Sequence, residues 1–487
     1  MIHLVWTLPA LVVIGVIASG RAGTLGASLL GLLTALAVAF ATAPRHFALA
    51  EAAVSLARGA WIGWIVVPYI LGGLLFWQMA IRTGDAVPPA ADQPADARAR
   101  RRLLFAACFL IGPFAESATG FGVGIIGTMV LVRKLEVKPI YLIVFSLLSQ
   151  TMILWGGMGS GAIIAAAFAG TDPTTLTLHS SLFFVAFNLV WLPLYWRFAE
   201  RAGIGASWRE RIGEALWLCA SLAAVVGATA ALGPETAMLA AYGPVIVLRF
   251  LVDQRPDRRQ VARAARKMLP FVALIGWLVL TRLVPPLHQL LEHSSRIQPF
   301  PGTPVWSPFF HAGTWLVLAA VLTALWRGHA ASLPAEMRGA WKTGRLAVLT
   351  IVTFSMMAEV LSRSGIAGSL AQGLFHSLGL WAIVLTPAIS AVFGALANSG
   401  NAANGLFMAS QVSLAAEAGL SLTAVVALQH AAALSLNIVS PVRMSIVCSL
   451  AGTPGQERAA YRAMLPFAAA AAGVLLLAAA AVALHRP

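Results

Sequence analysis

A carboxylate, two hydroxyls and four glycines occur together at positions 112–124, GPFAESATGFGVG, within a long apolar region. An ionisable group such as Glu116 costs roughly 2.5–3.5 kcal/mol at the centre of a bilayer, so its presence there points to function. A carboxylate in a desolvated cavity gains affinity for a proton, which suits it to take up and release one as water access alternates. The structural alternative is a carboxylate that caps a half-helix or pairs with a buried arginine. Ser117, Thr119, Gly120 and Gly122 are expected to form a turn with free N–H groups at the positive end of a half-helix, a setting that favours an anion. Phe121 would close over the apolar part of that ligand. Against this stands the plainer role of glycine in membranes, close helix packing.

A second polar set lies at positions 394–405, GALANSGNAANG. Asn398, Ser399, Asn401 and Asn404 offer neutral donors and acceptors for a substrate or a Na⁺ ion, although asparagines are also ordinary turn residues. Gln150 and Thr151 interrupt one apolar run, and Asn437 and Ser440 interrupt another. Arg443 follows Ser440-Pro441 inside an apolar segment, where a helix would restart. A guanidinium fork binds a carboxylate bidentately. A permanent pair with Glu116, or extension to the cytoplasmic surface, are the other roles open to it.

Other charged groups have simpler expectations. Arg249, near a span end, would snorkel, and Glu359 and Arg363 would pair four residues apart on one helix. His430 would either titrate or stay buried and satisfied, and Glu235 would cap a helix. Cys108, Cys219 and Cys448 are small core hydrophobes at no metal-like spacing. Trp61, Trp64 and Trp77 suit interfacial anchors. No nucleotide-binding loop, paired catalytic carboxylates, metal-ligand spacing or Ser/His/Asp set occurs, so neither an enzyme nor a cofactor or metal protein is expected.

The elements that hold these groups must be membrane helices. The chain has 487 residues, of which 59% are hydrophobic and 10% charged, with a mean hydropathy of +0.83. Soluble domains carry about 25% charged residues, and apolar runs of about 20 residues recur from end to end, each long enough to cross a bilayer as a helix. The formal charge of +15 does not imply nucleic acid. Of the 33 basic residues, 25 fall in alternate loops that one orientation puts in the cytoplasm, as the positive-inside rule requires. The start of the chain lacks the features of a cleavable signal peptide, so the first apolar run is expected to remain as a span.

Charge placement also constrains the polar stretches. Arg98, Arg100, Arg101 and Arg102 precede the first, and Arg133, Lys134 and Lys138 follow it. Both ends therefore lie on one side, and positions 103–132 fit a re-entrant hairpin entering from the cytoplasm; two tight spans are the alternative, although each half would be short for a full crossing. Positions 380–412 fit a hairpin entering from the opposite face. Each is followed by an interrupted span. The expected architecture is an all-α polytopic membrane protein with about 12 transmembrane helices plus two re-entrant hairpins, in two inverted-topology repeats. The first repeat covers 1–212, a linking helix pair 213–251, and the second repeat 252–487. Such interrupted, inverted pairs point to a secondary transporter with a midplane site.

FLIGPFAESATGFGVGIIGTMVL, KPIYLIVFSLLSQT and GGMG in the first half, with GALANSGNAANGLFMASQ and NIVSPVRMSI in the second, resemble the L-lactate permease family of bacterial carboxylate transporters. ALGPET near Gly233 and the LPF…VPP pattern at 269–286 are also similar. Members typically carry an acidic residue where this chain has Gly400, and Gln and Ser where it has Val442 and Arg443. The resemblance implies a multi-pass carboxylate transporter of the bacterial cytoplasmic (inner) membrane whose substrate is a monocarboxylate such as lactate or glycolate. Together with the buried carboxylate, the expected function is import of that small organic anion by proton symport, with Glu116 as the proton-coupling group. Na⁺ coupling, an anion channel, and an intramembrane enzyme or sensor are the alternatives. The expected partners are the anion, its coupling ion, the lipid bilayer and, in one form of the protein, further copies of the chain.

Overall fold

Long Ala/Leu/Val-rich runs make the helices, and proline, glycine and short polar caps divide them. The computed structural model describes residues 2–81, 96–120, 122–150 and 155–484. The first half comprises α1 (Ile2–Ser19), α2 (Thr24–Thr42), α3 (Leu49–Ile65) and α4 (Val67–Ile81), then α5 (Ala97–Ala106). A π-helical turn, Ala107–Ile111, joins α5 to α6 (Gly112–Thr119), and α7 (Val123–Arg133), α8 (Pro139–Leu148), α9 (Ser160–Ala169) and α10 (Pro173–Arg201) follow. Next come α11 (Trp208–Leu232) and α12 (Pro234–Gln254), then α13 (Arg258–Leu283), α14 (Pro285–His293), α15 (Ala312–Trp326), α16 (Leu333–Arg363) and α17 (Ile366–Leu378). The chain ends with α18 (Trp381–Ala397), α19 (Gly400–Ala418), α20 (Leu422–Ser435), α21 (Pro441–Leu450) and α22 (Glu457–Leu484).

Among the described residues no β-strand occurs, and eleven helices are long and apolar enough to cross a membrane. The protein is all-α and polytopic, as its composition requires. Helix starts follow local chemistry. The Asp172 side chain accepts from Thr175 N–H ahead of α10, while Ser207 with Glu210, and Asp257 with Gln260, form capping boxes for α11 and α13. Proline occupies the first turn of α8, α10, α12 and α21, where its missing N–H has no partner to lose.

The two polar stretches are antiparallel helix pairs. α6 turns at Gly120 and Gly122, with φ of 74° and 79°, and returns as α7. A Cβ on Gly124 would collide with the Gly112 carbonyl, so glycine at both positions sets how closely the arms approach. α18 turns at Asn398, with φ 51°, and returns as α19. The arms differ from the expected bounds. The entry arm of the first pair runs unbroken over Ala97–Thr119, because the arginines that read as flanking loop are helical, with Asp96 accepting from Ala99 N–H at the start. The return arm of the second pair extends to Ala418 rather than 412.

The halves interlock rather than sit side by side. α3 packs along α16 and α4 along α15, while α19 lies against α9, and α10 against both α20 and α22. All eight residues of α6 are buried. Leucines such as Leu4, Leu33, Leu477 and Leu484 are exposed on the peripheral helices, where lipid would cover them.

Buried charges fasten the base of the first pair. Arg101 donates from Nε and Nη2 to the two carboxylate oxygens of Glu214, at 2.6 Å each, and from Nη1 to the Ile204 carbonyl at 2.8 Å. Trp196 Nε1 donates to the same Glu214 at 2.8 Å, and the Arg101 guanidinium lies 4.7 Å from the Tyr195 ring centre. On either side, Arg100 donates to the Leu135 carbonyl and Arg102 to Asp253. Two expected roles change here. Arg249 does not snorkel free: it pairs with Asp253 and faces Phe105 and Trp217, because the end of α12 is covered by α5 and α11. Glu359 pairs not with Arg363 but with Arg58 of α3, at 2.9 Å, since the close α3–α16 contact brings that guanidinium nearer.

Removing one partner of a buried ion pair leaves an uncompensated charge, worth about 3–5 kcal/mol. Arg101→Ala and Glu214→Ala should each lower the unfolding midpoint in detergent markedly, and the double variant by less than the sum of the two. Additive losses would mean the pair contributes no coupling.

Candidate functional site

Glu116 lies one helical turn before the first hairpin tip, and its carboxylate folds across that turn. Oε1 accepts from Gly122 N–H and Oε2 from Gly124 N–H, both at 2.9 Å. The side chain is 1% exposed. It thus supplies the negative charge that the exposed N–H groups at the start of α7 favour. This corrects one expectation: the tip amides do not stand free for a ligand, because an internal carboxylate already occupies them. Ser117 and Thr119 donate their hydroxyls to the Phe114 and Ala115 carbonyls, at 2.8 and 3.1 Å. Thr119, Gly120 and Gly122 line a cavity with Glu116; Ser117 does not reach it. Phe121 lies outside the described residues.

The second tip meets the same cavity from the other side. Asn398 takes the left-handed conformation that closes the turn, and the Ser399 hydroxyl accepts from Ala402 N–H at 3.2 Å to start α19. Asn398, Ser399, Gly400 and Asn401 line the cavity. Asn401 lies 3.5 Å from the Ser160 hydroxyl, across the gap between the halves. Asn404, one turn further, faces away and bonds His430 Nδ1 at 3.0 Å, both side chains fully buried. His430 is therefore a core histidine whose Nε2 has no hydrogen-bond partner among the described residues.

The interrupted spans complete the walls. After α8 the chain leaves the helix, passes Gly156 at φ 76°, and restarts at Ser160 as α9. After α20 it makes a 3-10 turn, Asn437–Val439, and restarts at Pro441 as α21. Irregular backbone at this depth is tolerated where it lines a cavity, and Gly156, Gly157, Ser435 and Asn437 do so. Gln150 also lines it, and Thr151 lies outside the described residues. Ser440 is fully buried behind the wall, and its hydroxyl has no hydrogen-bond partner among the described residues.

The cavity measures about 370 Å³ and is lined by two charged side chains, Glu116 and Arg443. They do not form an ion pair. Arg443 Nε donates to Asn398 Oδ1 at 2.9 Å and Nη1 to Gln150 Oε1 at 2.6 Å. Among the described residues no carboxylate comes within 4.0 Å of it. One guanidinium therefore ties the second tip to the first interrupted span from its own place on the second. Nη2 has no hydrogen-bond partner among the described residues. Of the roles open to Arg443, the geometry selects the cavity over the surface and over Glu116.

The first turns of α9, α19 and α21 also reach this space, through Ser160, Gly400, Asn401 and Val442. Their positive ends add to the potential that Arg443 creates. The sequence had not singled out Ser160, Ser435, Trp191 or Thr350, which line the cavity as well. The run GGMG just ahead of Ser160 was a usable signal. Thr350 had none, since it sits on the apolar α16 and faces the cavity only because α16 packs there. Among the described residues no group of His, Cys, Asp and Glu could hold a metal, and all three cysteines are free, Cys219 exposed rather than in the core.

Known sequences similar to this chain are permeases. The profile of the L-lactate permease family matches residues 305–484, which include the second tip, the second interrupted span and Arg443. An L-lactate permease of Salmonella typhimurium is 23% identical over 485 residues, covering 88% of this chain and 86% of that protein. One of Escherichia coli K12 is 24% identical over 479 residues, with the same coverage of each. Similarity at this level runs through both halves, and along most of its length the chain resembles the L-lactate permeases, as a divergent relative of them.

Proposed function

We propose that this chain is a secondary active transporter of the bacterial cytoplasmic membrane that imports a small organic anion, a lactate- or glycolate-like monocarboxylate, with a proton. The observation that carries this reading is Arg443. Its guanidinium faces a cavity between two hairpin tips with only neutral partners. A cation held this way is costly unless an anion completes it, and a monocarboxylate would do so at Nη2 while the positive ends of α9, α19 and α21 share its charge. Asn398, Ser399 and Asn401 are placed to bond a substrate hydroxyl. L-lactate is the substrate named for the relatives, and the family resemblance brings it here.

Glu116 is the proposed proton site, and its bonds suggest how a proton would act on the site. Protonation turns one carboxylate oxygen into a donor and removes its charge, so it would accept much more weakly from the tip amide it now holds. Proton uptake would thereby loosen Gly122 or Gly124 and let the first tip move. The two halves, 1–212 and 252–487, would in this reading be inverted repeats that alternate access around the shared cavity, with α11 and α12 as the link. Na⁺ coupling is the second reading, favoured by the oxygen-rich second tip at Asn398, Ser399 and Asn401.

Proteoliposomes offered labelled two- to six-carbon carboxylates should accumulate a monocarboxylate under an inward pH gradient. Accumulation that depends on Na⁺ at fixed pH would replace the proton with Na⁺, and no accumulation under either gradient would overturn the transporter reading. Arg443→Gln should weaken substrate binding by roughly 2–5 kcal/mol, a rise in Kd of about thirtyfold or more, with Arg443→Lys intermediate. Unchanged binding in Arg443→Gln would remove the anion site. Glu116→Gln should still exchange substrate across the membrane but fail to concentrate it under a pH gradient. Normal accumulation by that variant would sink the proton-site role.

A further inference from the structure

Away from the central cavity, an apolar groove of about 440 Å³ runs between α13 and α15. Pro270, Ala273 and Trp277 form one wall, and Ala319, Leu322 and Trp326 the other. Trp277 meets Trp315 edge-on at 4.9 Å, closing the deep end. From Leu269 to Trp277 the first wall rises about 12 Å, and from Trp315 to Trp326 the second rises about 16 Å. That is the depth of one leaflet, half of a hydrocarbon core about 30 Å thick. Leu269, Ala273, Leu322 and Trp326 are exposed on it.

The shallow end is basic. The groove face of α13 continues through Arg266, one turn before Pro270 and two before Ala273, and then through Arg263, two turns before Pro270. Both arginines are exposed, and neither has a carboxylate within 4.0 Å among the described residues. At 1.5 Å per residue they stand about 4 and 9 Å beyond Leu269, the depth of the polar headgroup layer of about 5–7 Å and its outer edge. Arg327 donates from Nη2 to the Lys267 carbonyl, and so fastens the end of α15 to α13 beside this mouth.

An apolar slot one leaflet deep under unpaired cations complements a single kind of molecule. We propose that the groove holds an acyl chain of an anionic phospholipid from the cytoplasmic leaflet, with Arg263 and Arg266 on its phosphate. Basic pockets between helices at the cytoplasmic face recognise anionic headgroups by this chemistry. The charge distribution along the chain puts this mouth on the cytoplasmic side.

Native mass spectrometry of the full chain, mixed with equal amounts of phosphatidylglycerol and phosphatidylcholine of the same acyl composition, tests this directly. The expected result is one retained phosphatidylglycerol in preference to phosphatidylcholine. In Arg263→Ala/Arg266→Ala that preference should fall by about tenfold or more, and in Ala319→Trp, which fills the slot and leaves the arginines, retention of either lipid should drop. Equal retention of both lipids by the unaltered protein, or an undiminished preference in the double arginine variant, overturns the proposal. So does a dimer that Ala319→Trp dissociates without changing lipid retention, since a second copy would then be the occupant.

Discussion

The bond pair from Arg443 to Gln150 and Asn398 is the interaction on which the centre of this protein depends. A guanidinium cannot shed its charge in an apolar interior, so the chain must surround it with oxygen. It does so by bringing together groups 293 and 45 residues away along the sequence. That requirement accounts for features that would otherwise be faults. Each supporting helix stops short, each leaves irregular backbone behind, and each irregular piece faces the one cavity where such backbone is tolerated.

The rest of the charge inside the bundle is neutralised locally. Glu116 is held by two amides of its own hairpin, Arg101 by a bidentate carboxylate with an aromatic ring beneath it, and Glu359 by Arg58 from the other half. These pairs share a design: the charge sits beside a helix end or a close crossing, where the partner needs little freedom to reach it. The base of the first hairpin is fastened to three elements through Arg100, Arg101 and Arg102, whereas the bonds across its tip go to a carboxylate whose acceptor capacity a proton can change. The tip is also where glycine at φ 74° and 79° gives the backbone room to turn.

Much of the site was legible because membranes make polar residues conspicuous. Glu116, Gln150, Asn398, Ser399, Asn401, Asn437 and Arg443 stood out against apolar surroundings, and all seven line the cavity. Ser117, Asn404 and Ser440 stood out equally and do not. Composition cannot separate them, because one turn of helix decides whether a polar side chain faces the cavity or the neighbouring backbone. Partners were the least legible feature. Glu359 and Arg363 have good helical spacing, yet Arg58, 301 residues away, lies closer once α3 and α16 are packed.

Local hydropathy, turn chemistry and the placement of charge are enough to make this chain a bundle of membrane helices, to mark its two polar turns and its interrupted runs, and to gather its basic residues in alternate loops. Packing brings both hairpin tips and both interrupted spans to one cavity, bonds Glu116 to its own hairpin, and leaves Arg443 apart from it among neutral groups. Those facts depend on distances between segments hundreds of residues apart. Such distances are set by how apolar faces pack, and many packings satisfy one pattern of hydropathy.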